Sequence, residues 1–207
     1  MELTKNITKY KLGEGELLYI PNWADDPDAL YWSAKKLSFT PETVTMYGKT
    51  NTIERQTVDY GLPYSYNKTA KPSIGWEGVA IEVRKRLEAQ LGITLPQCAC
   101  NQYASPTAYI GAHRDKNTII NGESVEPKYI ASLSLGSARK MVFIPKEVGM
   151  KQPTVESMFT LRDALVFELL PGSLVLFSNA VNQNWKHAIP QDKNAAGERI
   201  SLTYREF

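Results

Sequence analysis

Helical periodicity is confined to the first 92 residues of this chain, and most of the remainder alternates as strands do. Asp26-Pro27 reads as an N-cap followed by proline at the first helical position, with Leu30, Ala34 and Leu37 forming a stripe behind it. A second helix is predicted from about Ser73 to a stop at Gly92, burying Trp76, Val79, Ala80, Val83, Leu87 and Leu91. Strands are expected at 16–20, 43–47, 99–104, 130–136, 140–145, 164–170, 173–179 and 200–207, with Pro171-Gly172 turning one into the next. Helices early and strands late imply an α+β fold. The strand-rich part is expected to close as a double-stranded β-helix (jelly-roll) core, with the N-terminal helices packed on its outside. Such a barrel has a mouth where several strands can present ligands.

The chain has 207 residues, enough for one sizeable core, so a single domain over 1–207 is expected. Within it, 1–95 would hold the helices and a recognition lid, and 96–207 the barrel. No apolar run reaches membrane-spanning length, and the start of the chain lacks a signal-peptide layout, so an intracellular, soluble location is expected, in cytoplasm or nucleus. A net charge of +2 excludes a globally basic nucleic-acid binder; any phosphate-binding surface must be a local patch. Cys98 and Cys100 are the only cysteines. On a strand they point the same way from Cα atoms roughly 7 Å apart, a poor disulfide geometry, so both read as reduced, buried thiols.

There are also only two histidines. His113 opens His113-Arg114-Asp115, and on an extended segment residues i and i+2 face the same way. His113 and Asp115 can therefore reach one metal ion, with His187 arriving from another strand. Two imidazoles and one carboxylate, with coordination positions left open, are the donor set of non-haem Fe(II) oxygenases. Arg199 and Arg205, six apart on an expected strand, face the same interior, where two cations are costly without an anion.

Six segments then carry a resemblance: Asn101-Gln102-Tyr103, Ile110 to Asp115, Ser132-Leu133-Ser134-Leu135-Gly136, Pro171 to Leu174, Trp185 to Pro190, and Arg199 to Arg205. Together they resemble the AlkB family of Fe(II)/2-oxoglutarate-dependent dioxygenases in the family's order. The resemblance implies Fe(II), 2-oxoglutarate as co-substrate and O₂. It implies that His113, Asp115 and His187 are the metal ligands and the catalytic centre. Arg199 would take the outer carboxylate of 2-oxoglutarate with Tyr103 assisting, and Asn101 and Arg205 would contact its inner end. A bidentate guanidinium–carboxylate pair suits that role.

The N-terminal half bears on the substrate. Met46-Tyr47-Gly48-Lys49, Arg55 and Tyr60 to Tyr66 resemble, with a short deletion after Gly61, the lid of the branch that repairs duplex DNA. That implies oxidative demethylation of 1-methyladenine or 3-methylcytosine, the base being flipped out of the helix. Tyr66 and His113 would stack on the base, Tyr64 would hydrogen-bond the base or a phosphate, and Tyr47 would wedge into the gap. Lys49, Arg55, Lys68 and Lys71 would meet phosphates. Asn117 departs from the family, whose members of this branch carry an acidic residue there to read a cationic base; Asn117 offers hydrogen bonds without charge. Ser201 stands where the closing strand often has asparagine. The alternatives are an oxygenase of the same fold acting on RNA, a modified DNA base or protein, and a catalytically silent β-helix binding module. A monomer without an obligate protein partner is the default expectation.

Overall fold

The alternation in the closing strand sets out the architecture. Ile200, Leu202 and Tyr204 enter one apolar cluster with the helices, while Arg199, Ser201, Thr203 and Arg205 turn to the opposite face and line a cavity. A computed structural model describes residues 6–46, 49–66, 69–71, 73–147 and 163–207, and side chains are described for these except 44–50 and 64–72.

The larger sheet has eight antiparallel strands. Their order is β1 (Thr8–Leu12), β2 (Gly15–Ile20), β14 (Leu174–Ser178), β11 (Tyr129–Gly136), β16 (Arg199–Glu206), β7 (Gln97–Tyr103), β4 (Lys49–Gly61) and β3 (Thr40–Met46). The smaller sheet has four, in the order β13 (Leu165–Leu169), β12 (Arg139–Pro145), β15 (Trp185–Ile189) and β8 (Ile110–His113). Two short ribbons complete the strands: β5 (Tyr64–Tyr66) with β6 (Thr69–Lys71), and β9 (Thr118–Ile120) with β10 (Glu123–Val125). This is the expected jelly roll.

Helices α1 (Pro27–Ala34) and α2 (Gly78–Leu91) cover the outer face of the larger sheet, and a short helix α3 (Asn179–Asn184) leads into β15. Asp26 Oδ1 accepts the Ala29 N–H at 2.9 Å and so caps α1 as expected. Gly92, at φ +67°, ends α2 with its N–H on Glu88 O. The start of α2 lies later than Ser73. Residues 73 and 74 are held instead by the end of β4: Ile74 N donates to Asp59 O (3.0 Å), Ile74 O accepts from Gly61 N (3.2 Å), and Ser73 Oγ donates to Gly61 O (2.6 Å). Those bonds take the backbone groups a first helical turn would need.

Two cores result. Val79, Ala80, Val83 and Leu87 of α2 pack on Cys98, Cys100, Leu133, Leu202 and Tyr204 of the sheet. Between the sheets, Tyr103, Ile130, Met141, Phe143, Val175, Phe177 and Ile189 form the second. Each fully buried Leu, Ile or Phe contributes about 1.5–3 kcal/mol. Cys98 and Cys100 are buried and free, their Sγ atoms 3.6 Å apart.

The expected strands are all present with ends shifted by a few residues. Outside the expected ranges lie β1, β4, β5, β6, β8, β9, β10 and β15, although β8 and β15 supply the extended segment at His113 and the separate strand at His187 that the metal spacing called for. In β4 the positions facing the cavity are Arg55, Thr57 and Asp59, so that face is polar, and only Val58 and Tyr60 on the other face carry an apolar alternation into the helix-side core. No helix among the described residues is long and apolar enough to cross a membrane.

Candidate metal centre

The ladder between β8 and β15 pairs His113 directly with His187, and their ring centroids lie 4.3 Å apart. Asp115 stands two residues beyond the end of β8. One ligand atom from each of the three lies within 4.8 Å of the others. Two adjacent strands thus bring together residues that the sequence separates by most of the barrel.

The surroundings prepare these groups as ligands. His113 Nδ1 sits 2.8 Å from Gly111 O; a proton there leaves the Nε2 lone pair free. His187 is packed among Phe143 and Phe177, with ring centroids at 5.6 and 5.4 Å. Burial lowers the pKa of both histidines, His187 to about 3, with His113 beside it as the second cause. Burial alone would raise the Asp115 carboxyl, but Arg205, His187 and His113 outweigh it and bring it to about 2. At neutral pH the set is two neutral imidazoles and a carboxylate, the protonation state a metal requires. Asp115 Oδ2 and His187 Nδ1 are buried without a hydrogen-bond partner among the described residues. Buried polar atoms are rarely left so, and a cation among these donors would satisfy them.

Asn182 was not legible as a site residue. From α3 its Oδ1 accepts the Asp115 N–H (2.9 Å) and its Nδ2 donates to Asp115 O (3.0 Å), clamping the Asp115 backbone from both sides. Nothing in an asparagine near a predicted strand end signals such a contact, which exists only because α3 packs beside the end of β8.

A cavity extends from the triad between the sheets, and Asn101, Tyr103, Arg199, Ser201 and Arg205 line it with His113, Asp115 and His187. Arg199 is 2% exposed. Its Nη2 donates to Ser134 Oγ (2.9 Å), its guanidinium lies 5.1 Å from the Tyr103 ring centroid, and its Nε and Nη1 have no hydrogen-bond partner among the described residues. Burial pushes its pKa down to about 10, yet it stays a cation at neutral pH. A buried cation with two open donors is a ready carboxylate site. Arg205 Nη2 donates to Asp115 Oδ1 (2.8 Å), so this arginine also orients a member of the triad. Arg139, another residue the sequence did not single out, is fully buried and donates to Ala108 O (2.8 Å) and Pro190 O (2.6 Å), tying the loops around Tyr103 together.

A second cavity lies on the other side of the triad. Glu42, Arg55, Thr57 and Asp59 line it, and it shares Asn101, His113, Asp115 and Arg205 with the first. This corrects the expectation for Arg55 as a surface phosphate contact. It is 4% exposed and paired with Glu42, Nε to Oε2 at 2.8 Å and Nη2 to the same oxygen, because its strand position turns it inward. Asn117 donates to Ser124 Oγ (3.0 Å) at the β9–β10 ribbon. Tyr47 and Lys68 lie outside the described residues. Tyr64 and Tyr66 are placed as backbone in β5, and their side chains, with those of Lys49 and Lys71, lie outside the described residues.

Known proteins place a chain with this site. The family model of the 2OG-Fe(II) oxygenase superfamily matches residues 16–205. The chain belongs to the 2OG-Fe(II) oxygenase superfamily. It is similar to "DNA oxidative demethylase ALKBH2" of Homo sapiens, 29% identical over 168 residues that cover 79% of this chain and 60% of that protein. It is likewise similar to "Alpha-ketoglutarate-dependent dioxygenase alkB homolog 3" of Homo sapiens, 29% identical over 154 residues, 73% of this chain and 51% of that protein. The chain spans 57–66% of the length of the ALKBH2 relatives it matches. The solved structure titled "The structure of OsALKBH1" shares the fold, with a TM-score of 0.60 at 16% identity over 98% of this chain and all of that one. A 2OG-Fe(II) oxygenase-family oxidoreductase from Burkholderia pseudomallei gives a TM-score of 0.55, at 16% identity over 91% of this chain and 84% of that one. The AlkB resemblance is borne out by these relatives, and the chain is a 2OG-Fe(II) dioxygenase, a class whose chemistry uses Fe(II), 2-oxoglutarate and O₂. Family and donor set together argue against the silent binding module.

Proposed function

We propose that this dioxygenase is an oxidative demethylase of N-alkylated nucleobases in DNA, acting on 1-methyladenine and 3-methylcytosine as a direct-reversal repair enzyme. The supporting observation is the pair of cavities that meet at His113 and Asp115, one carrying a buried, open-handed arginine and the other a polar wall. The ALKBH2 relatives, named DNA oxidative demethylases, support the substrate class.

In this reading His113, Asp115 and His187 hold the iron. Bound with 2-oxoglutarate and O₂, the metal supplies oxidation of the N-methyl C–H bond, after which the carbinol carbon leaves the base as formaldehyde. Arg199 holds the outer carboxylate of 2-oxoglutarate through two parallel hydrogen bonds, with Tyr103 beside it. Asn101 and Arg205 contact the inner end, and Arg205 keeps Asp115 ionised and oriented. The second cavity receives a base flipped out of the stack. His113 and Tyr66 flank it, Tyr64 hydrogen-bonds it or a phosphate, Asn117 offers its exocyclic amine a hydrogen bond without charge, and Tyr47 fills the gap in the duplex. The chain works as one domain and a monomer, needing nucleic acid and no protein partner.

Asn117 and the net charge of +2 support a second reading, an RNA, modified-base or protein substrate for the same chemistry. One experiment separates them. The protein is incubated with Fe(II), 2-oxoglutarate and O₂ and with single-stranded or duplex oligonucleotides carrying 1-methyladenine or 3-methylcytosine. Methyl loss coupled to succinate, abolished in His113→Ala, is expected. Succinate without methyl loss from DNA overturns the DNA reading and leaves the second one.

A further inference from the structure

Pro63 stands one residue before β5 and has no N–H to give to a ladder, so the chain entering the β5–β6 ribbon is fastened by other means. Leu62 N donates to Pro96 O (2.9 Å). The buried amide of Gln97 donates through Nε2 to Leu62 O (3.1 Å) and to Pro63 O (3.0 Å). The buried Thr118 hydroxyl donates to the same Pro63 O (2.6 Å). Two side chains from different elements thus converge on one carbonyl at the root of the ribbon.

Both side chains belong to the framework of the metal centre. Gln97 lies in one row across the larger sheet, with Gly61 of β4 on one side and Arg205 of β16 on the other. Its Oε1 accepts from Arg205 Nη1 (3.4 Å), and Arg205 Nη2 donates to Asp115 Oδ1 (2.8 Å). Thr118 follows Asp115 by three residues, on the segment that leaves β8. A primary amide has donor hydrogens at one end and an acceptor oxygen at the other. Gln97 turns its donors to the ribbon and its acceptor to the arginine, an arrangement that neither a carboxylate nor a hydrocarbon of the same length reproduces.

We propose that Gln97 and Thr118 are positioning residues that fix the root of the β5–β6 ribbon relative to the metal centre, and so set where Tyr64 and Tyr66 meet the substrate. This rests on the reading of Tyr64 and Tyr66 as residues that meet the base. Gln97 and Thr118 act through the Leu62 and Pro63 carbonyls rather than on the reacting atoms. A small displacement of the ribbon root is carried along the strand to both tyrosines, and binding groups lose effectiveness when their support is loosened. The two residues differ in one respect. Loss of the Thr118 hydroxyl falls on the ribbon alone, whereas loss of the Gln97 amide also removes an acceptor from Arg205 and so reaches Asp115.

Three variants test this. Thr118→Val keeps the shape without the hydroxyl, Thr118→Ser keeps the hydroxyl, and Gln97→Met keeps the length without the amide. Hydrogen exchange of the backbone amides of β5 and β6 is measured in the metal-free protein, and Mn(II) affinity by titration calorimetry. The iron-loaded enzyme gives KM and kcat on a single-stranded oligonucleotide carrying 1-methyladenine. Thr118→Val is expected to speed the exchange and raise the oligonucleotide KM about five- to tenfold, the scale of one net hydrogen bond. Its kcat, its KM for 2-oxoglutarate and its Mn(II) affinity are expected to stay within about twofold of wild type, and Thr118→Ser to restore the oligonucleotide KM. Gln97→Met is expected to raise the oligonucleotide KM at least as far and to weaken Mn(II) binding about threefold or more. Exchange and oligonucleotide KM unchanged in both Thr118→Val and Gln97→Met overturn the assignment. So does a Thr118→Ser variant as defective as Thr118→Val, because the hydroxyl would then not be what acts. Absence of methyl release from the loaded wild type, with exchange faster in both Thr118→Val and Gln97→Met and normal in Thr118→Ser, refutes the demethylase reading and supports the anchoring of the ribbon.

Discussion

Replacing Asn182 with alanine removes both hydrogen bonds that clamp the backbone of Asp115. Asn182 is buried, and among the described residues its side-chain hydrogen bonds reach the metal centre through the Asp115 backbone, so its role is positioning. The substitution leaves the N–H and C=O of a buried residue without partners. Each orphaned group costs about 1–3 kcal/mol, and water entering the space left by the side chain recovers part of that. A loss of about 2–4 kcal/mol of folding stability is expected, measured by urea unfolding of the metal-free protein. The second consequence is specific to the site. Without the clamp, the Arg205 hydrogen bond is what holds Asp115 among the described residues, and its carboxylate no longer has one position relative to His113 and His187. Residues that orient metal ligands typically carry 10–100-fold in affinity. Titration calorimetry with Mn(II) in place of Fe(II) reads this without turnover. Reduced stability with metal affinity unchanged within twofold would refute the positioning argument and leave Asn182 as an ordinary structural asparagine.

Three further outcomes are expected. Arg199→Met should abolish saturation by 2-oxoglutarate, raising KM at least about 100-fold, yet leave the metal-free protein as stable as wild type or more so, since a buried cation with two open donors is removed; chemical unfolding and succinate assays read the two signs separately. Gly136→Ala should destabilise by about 2–4 kcal/mol, because φ is +79° and a Cβ would lie 2.6 Å from Glu198 O and 2.8 Å from the Tyr31 ring; an unchanged Tm would contradict it. Burial, then Glu198, raises the Tyr31 pKa to about 12. A raised folded-state pKa contributes stability that is complete below pH 10 and lost as pH climbs through about 12, so Tyr31→Phe should flatten the alkaline fall of Tm in that window.

The chain was legible where local pattern and function coincide. Asp26-Pro27 caps α1 because a side-chain oxygen and a fixed φ act over three residues. Arg199 and Arg205 share a face because strand periodicity alone requires it. The spacing of His113 and Asp115 likewise needed only an extended backbone. β4 escaped because its inward face is polar, and an interior of Arg55, Thr57 and Asp59 mimics a solvated loop. Arg55 was misplaced for the same reason, since an arginine near lysines in sequence carries no sign of the glutamate that meets it from the neighbouring β3.

By itself the sequence determined the reaction class, since a metal's donor set and a dicarboxylate's cation are matters of residue type and short spacing. It also determined the two helices and most of the barrel strands. Only the tertiary structure decided that His113 and His187 pair across one ladder, that Asn182 clamps Asp115, and that Glu42, Arg55 and Asp59 wall a second cavity beside the triad. Those facts depend on which strands neighbour one another and in what register. Register is set by burying every face of the sheets at once, a condition on the whole chain that no local stretch of it records.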